Sequence, residues 1–331
     1  MRRRAVLSGL LAAGCAPRGA FTRPPEDGAT RVARRMYLAT NRPGPLAFAR
    51  LDVSAPATRD AGTLDYSGGG RFALSSTAPL DAERFLAALA QGGPADAPLG
   101  LFVHGYNNNI AEAVYRHAQM TLDFDQPGPQ VTFAWPSQGA ALGYVADRDA
   151  ALRSRDALDR LLRMLHRGQP RRIALIGHSM GGFLVMETLR QMAAAGANPA
   201  DMLEAVVLIS PDVDIGLFRA QARAIGRLPD PFLVTISDRD RALGLSAQLA
   251  GRRARLGAPD DLSTLADLDI TVIDLSAARG GLRGQHLQAM SSPEAIRWLA
   301  SIARHSPSLS ARDGLDLIRL GHTPSKGPGT A

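Results

Sequence analysis

Between residues 99 and 304 short, nearly continuous apolar stretches rich in β-branched side chains alternate with longer segments in which apolar residues recur every three or four positions. The short stretches, at 99–104, 130–135, 172–177, 205–210, 231–237 and 268–275, read as strands buried on both faces. The longer ones, at 110–122, 147–166, 182–195 and 293–304, read as helices with one apolar side. Strands and helices in this alternation predict an α/β chain with a doubly wound, mostly parallel sheet, because a parallel crossover carries a helix over one face. Upstream, 35–40, 47–53 and 72–76 are expected to form antiparallel strands that extend one edge of this sheet.

The flanks lack such periodicity. Residues 15–30 contain Pro, Gly and Thr and read as a tether, and 305–331 as a flexible tail in which only the run 315–318 could dock as helix or strand. One domain, 31–304, lies between them. No internal repeat and no membrane-spanning stretch is found. Arg2, Arg3 and Arg4 precede the apolar run 5–13, which is too short to cross a bilayer, so residues 1–14 read as an export signal. Leu11-Ala12-Ala13-Gly14-Cys15 resembles a bacterial lipobox, with Ala12 where Leu is usual, and implies lipidation of Cys15 and a membrane-anchored protein of the cell envelope or periplasm. The Arg3-Arg4 pair also resembles a twin-arginine signal, which leaves the export route open.

Removing the signal lowers the formal net charge from +7 to +4, and the remaining arginines are scattered, so no nucleic-acid partner is expected. Cys15 is the only cysteine, which excludes an internal disulfide.

The sharpest chemical signal is Gly177-His178-Ser179-Met180-Gly181, which follows an apolar strand and opens a helix. This is G-x-S-x-G in strand–turn–helix context. Gly177 and Gly181 make room for a strained turn that lifts the Ser179 hydroxyl from the sheet, and the amide of Met180 becomes an oxyanion donor. His178 is a neighbour, too close in sequence to act as base. A second donor is expected after an earlier strand, where His104-Gly105-Tyr106 offers the Tyr106 amide and the following Asn107-Asn108-Asn109 a helix cap. With the order nucleophile, acid, histidine, the bases available are His286, His305 and His322. His286 is preferred because it lies on a Gly-rich loop between a strand and a helix. The acid comes from one of two strand ends, which carry Asp240 or the pair Asp212 and Asp214, and strand order favours Asp240.

Together these residues resemble a bacterial family of α/β-hydrolases within the esterase/lipase superfamily, a domain of unknown function. The resemblance covers roughly residues 34–300. It rests on Tyr37-Leu38-Ala39-Thr40-Asn41-Arg42, Val103-His104-Gly105-Tyr106-Asn107, Phe133-Ala134-Trp135-Pro136-Ser137, the Ser179 turn, Ser210-Pro211-Asp212-Val213-Asp214 and Asp240-Arg241-Ala242-Leu243. It implies the α/β-hydrolase fold and a carboxylic-ester hydrolase with Ser179, Asp240 and His286 in the three roles. It further implies a small-molecule acyl ester as substrate and neither metal nor cofactor, with Tyr106 beside the acyl pocket and Trp135 either there or packed in the core. Substrate, acyl length and oligomeric state are not legible. Two rivals are an acyl or peptidyl transferase with the same triad and a non-catalytic envelope lipoprotein that retains the fold.

Overall fold

The computed structural model of the chain describes residues 19–64, 72–240, 255–258, 261–279, 288–305 and 316–319, except positions 27, 43, 141 and 239. In chain order the elements are β1 (Arg31–Thr40), β2 (Ala47–Pro56), β3 (Ala73–Leu80), α1 (Ala82–Ala90), β4 (Leu99–Val103), α2 (Ile110–Asp123), β5 (Gln130–Ala134), α3 (Tyr144–Gly168), β6 (Ile173–His178) and α4 (Met180–Ala194). They continue with β7 (Leu203–Ile209), α5 (Ile215–Ile225), β8 (Phe232–Ile236), β9 (Thr271–Asp274), α6 (Gln288–Ser291), α7 (Pro293–His305) and β10 (Asp316–Arg319). These strands form one sheet in the order β10-β9-β8-β7-β6-β4-β5-β1-β2-β3.

The middle strands are apolar at successive positions because the sheet is covered twice. Leu101, Leu175, Leu208, Val234 and Val272 face a core shared with α1, α3, α4 and α5. Their neighbours Phe102, Ile176, Val207, Leu233 and Ile273 face the opposite core, beneath the end of α2 and beneath α6 and α7. Such two-sided burial of about half a dozen strands is the main hydrophobic stabilisation of the fold.

At the N-terminal edge β2 runs antiparallel to β1 and β3 antiparallel to β2, the reversed edge expected, whereas β1 itself pairs parallel with β5. Within the tail, the run expected to dock as helix or strand is a strand: Asp316–Arg319 adds β10 in parallel to β9, whose outer edge would otherwise leave its amides and carbonyls without partners. Residues 19–22, in contrast, are not the free tether expected. The Gly19 amide donates to Glu112 Oε1 at 3.0 Å, the Gly19 carbonyl accepts from Asn109 Nδ2 at 2.8 Å, and Phe21 meets the Tyr115 ring edge-on at 5.7 Å. An aromatic ring with an apolar partner in reach docks rather than remaining in water. Helices α1, α5 and the short α6 are additional to those expected, and α3 begins three residues earlier than its apolar pattern indicates. No helix among the described residues is long and apolar enough to cross a membrane.

Candidate active site

Parallel strands β4 and β6 lie side by side, so the loops after them meet at the sheet's C-terminal edge. β6 leads straight into α4 through Ser179, whose φ of 54° and ψ of −121° no ordinary residue adopts without strain. The surroundings enforce it. The Ser179 amide donates to the Ile209 carbonyl at 2.9 Å, and the Ser179 carbonyl accepts from the Gly182 amide at 2.9 Å and the Asp212 amide at 3.2 Å. A side chain at Gly181 would stand 2.3 Å from the Val103 carbonyl oxygen, and one at Gly177 would stand 2.9 Å from Gly182 Cα. Both positions therefore need glycine.

The loop after β4 is pressed against this turn. A Cβ on Gly105 would come within 2.9 Å of Ser179 Cβ and 2.7 Å of His178 Nδ1, so the Tyr106 and Met180 amides belong to backbone flanking one serine. Neither amide makes a hydrogen bond among the described residues. His104 supports the loop from beneath. Its ring stacks on Trp135 at 4.9 Å, its Nδ1 lies 2.8 Å from the Gly105 carbonyl, and the Trp135 indole donates to the His104 carbonyl at 2.7 Å. Complete burial pushes the His104 pKa down to about 4, so it stays neutral. Trp135 is fully buried in this stack and buttresses the loop, which matches the buried-packing reading of this residue. Tyr106 remains half-buried at the surface of the site, its hydroxyl donating to the Ala140 carbonyl at 3.1 Å.

The three acid candidates are placed differently. Asp214 caps α5, accepting from the Leu217 amide at 2.9 Å. Asp212 is buried beside Ser179 and is held by Arg255 at 3.2 Å and by the Tyr144 hydroxyl at 2.9 Å. Burial and that carboxylate raise the Tyr144 pKa to about 12. Asp240 is buried just beyond β8, 4% exposed. His286 lies outside the described residues, as do His322 and Cys15.

Sequence reasoning missed the groups that organise the loops. Asp147, fully buried at the start of α3, accepts from the Ser137 hydroxyl and the Gln138 amide, each at 2.6 Å, and from the Asn107 amide at 3.3 Å. It thereby ties the loop after β5 to the loop after β4. The single signal available was an acidic residue in a first helical turn, which a helix dipole explains equally well. No group of three or more potential metal ligands occurs among the described residues.

The chain was compared with known proteins. An uncharacterized protein (alr1448) of Nostoc sp. is 35% identical over 77 residues, 23% of this chain and 20% of that protein, so the match spans a fifth of the relative's length. Among solved structures, dienelactone hydrolase from Anabaena variabilis is 14% identical with a TM-score of 0.41, covering 82% of this chain and 95% of its own. Aspergillus fumigatus lipase B is 14% identical with a TM-score of 0.44, covering 71% and 58%. Brefeldin A esterase, a bacterial homologue of human hormone sensitive lipase, is 15% identical with a TM-score of 0.40, covering 90% and 82%. Likeness at this level says nothing of substrate. A family model is more direct: it matches residues 94–303, more than half of the chain and the whole span from β4 through most of α7, and its description is an alpha/beta hydrolase of unknown function (DUF900). By that match and by its sheet, the protein belongs to this family of α/β hydrolases.

Proposed function

We propose that the protein is a serine hydrolase of carboxylic esters that works through an acyl-enzyme on Ser179. The observation that carries this reading is the strained serine between a buried parallel strand and a helix, pressed against the Gly105 backbone. In the reaction His286 takes the Ser179 proton as Oγ attacks the ester carbonyl. The Tyr106 and Met180 amides donate to the resulting oxyanion, and the alcohol leaves with the proton from His286. Water, deprotonated by His286, then releases the carboxylic acid and restores Ser179. Asp240 holds the imidazole in the required tautomer. Asp240 is favoured as the acid because it is buried in the segment that follows β8, the strand after the one that carries Asp212 and Asp214, and because Asp214 caps a helix.

Labelling with a fluorophosphonate tests the reading. Wild-type protein is expected to react and Ser179→Ala to remain unlabelled. Labelling that persists in the folded variant sinks Ser179 as nucleophile. Product analysis with added alcohols or amines then separates hydrolysis from acyl transfer.

We infer also that residues 1–14 direct export and that Cys15 anchors the protein in the cell envelope. Its sulfur would form a thioether to a diacylglyceryl group taken from a phospholipid, the phosphate headgroup leaving with the thiol proton.

A further inference from the structure

We propose that the sheet edge carrying Ser179 faces the lipid bilayer, and that the substrate is an ester held in that membrane. This rests on the two readings just given, Ser179 as nucleophile and Cys15 as anchor.

The chain is fixed to the body from Gly19 onward. Besides the two Gly19 hydrogen bonds to Asn109 and Glu112, the Thr22 carbonyl accepts from the Leu74 amide at 2.7 Å. Cys15 precedes Gly19 by four residues, which span at most about 14 Å when fully extended. The polar layer on one side of a bilayer is roughly 5–8 Å thick. A lipid on Cys15 therefore leaves the body at most about 6–9 Å of stand-off, and the part drawn to the surface is the first turn of α2 around Asn109 and Glu112. That turn begins where the loop of His104, Gly105 and Tyr106 ends, so the anchor leaves the protein at the same edge as the Ser179 turn.

The surface beside it is suited to lipid. Leu142 is 89% exposed and Val145 72% exposed, the two most exposed large hydrophobic side chains among the described residues. Single exposed aliphatic residues are common on protein surfaces. These two, however, lie three positions apart where α3 begins, on a segment held from both sides next to the serine. Tyr106 bonds the Ala140 carbonyl, and Tyr144 bonds Asp212, whose amide holds the Ser179 carbonyl. A long tether would permit any orientation of the body. A tether of four residues with an apolar pair at its exit edge selects one, in which Leu142 and Val145 enter the interface and an ester need only rise from the lipid to reach Ser179.

The test uses the lipidated full chain in vesicles of phosphatidylethanolamine and phosphatidylglycerol. Because Cys15 is the only native cysteine and its sulfur is blocked by lipid, a thiol introduced by Leu142→Cys, Val145→Cys or Arg160→Cys is a unique site for an environment-sensitive fluorophore. Arg160 serves as control, since it is exposed on α3 and lies 16 residues, roughly 24 Å, down the helix from Tyr144. Strong quenching by acyl-brominated lipid at 142 and 145 with none at 160 is expected. Equal quenching at all three positions, or none at 142 and 145, overturns the orientation.

Mass spectrometry of the N-terminal peptide is read in the same sample. A peptide without the diacylglyceryl group removes the anchor, and the orientation with it. Failure of fluorophosphonate labelling alongside the expected quenching removes Ser179 as nucleophile and leaves the membrane-facing edge standing. For the substrate, lipidated protein is expected to cleave vesicle-embedded 4-methylumbelliferyl oleate at least tenfold faster than soluble Cys15→Ser protein, by the raised effective concentration. Both should cleave the soluble butyrate ester equally. Equal rates on the oleate overturn the membrane substrate.

Discussion

At Ser179 the backbone is held in its unusual conformation by its neighbours' contacts, since the Val103 carbonyl and the body of α4 leave no space for side chains at Gly181 and Gly177. Strain of this kind costs on the order of 1–3 kcal/mol and persists only where the surroundings over-determine it. The assignment of the acid to Asp240 yields a kinetic prediction. Asp240→Asn is expected to lower kcat by about 10⁴ while the protein stays folded, since the histidine would lose its tautomer control. A loss of that size in Asp212→Asn, with Asp240→Asn near wild type in steady-state ester hydrolysis, would reverse the assignment. Two further histidines are kept neutral by burial. The pKa of His104 falls to about 4, and that of His117, whose ring nitrogens meet Thr132 Oγ1 at 2.9 Å and Gln130 Oε1 at 3.1 Å, falls to about 3. In the unfolded chain both take up protons near pH 6.5, so between that pH and their folded values the unfolded state binds more protons. Stability should therefore fall as the pH drops below about 6.5, by up to about 1.4 kcal/mol per pH unit for each histidine. Urea melts of His117→Gln across pH 7 to 4.5 should show the slope reduced by one histidine's share.

The helices owe their boundaries to caps that are partly visible in sequence. The Asn run after His104 supplies the N-cap of α2, where Asn109 and Glu112 form a reciprocal capping box. Asp214 has the same task for α5, and a strand-end aspartate read from sequence cannot be told apart as acid or cap, since both uses need a carboxylate at the C-terminal edge of the sheet. Asp214→Ala is thus expected to lower unfolding free energy by about 1 kcal/mol in denaturant titration and to leave ester hydrolysis nearly unchanged. A large kinetic loss would place it in the mechanism. Helix α3 starts at Tyr144 after Gly143, which makes no side-chain cap bond, so neither cap nor apolar period announced its first turn. Helix α1 escaped notice because its nine residues are too few for the period to emerge.

Across the whole molecule, pairings between distant segments complete the body. β10 closes the edge of β9, and the Gly19 and Thr22 segment joins α2 over 93 residues of sequence. Truncation after residue 305 is expected to lower Tm by roughly 3–6 °C and to promote aggregation through the bared β9 strand, as read by calorimetry and light scattering. An unchanged Tm would show that β10 contributes little. What the sequence by itself determined was the alternation of buried strands and amphipathic helices, the reversed N-terminal edge, and the glycine-flanked serine with its His-Gly loop. These are local patterns, in which the period of burial and the space around a single Cβ are written into a few consecutive residues. Only the tertiary structure decided that β1 runs parallel to β5, that Trp135 buttresses a loop, that Asp147 binds two loops together, and that the chain after residue 18 docks on the first turn of α2. Each of these depends on a partner tens of residues away, selected by what remains unburied or unpaired once the sheet has formed, and no local pattern records that choice.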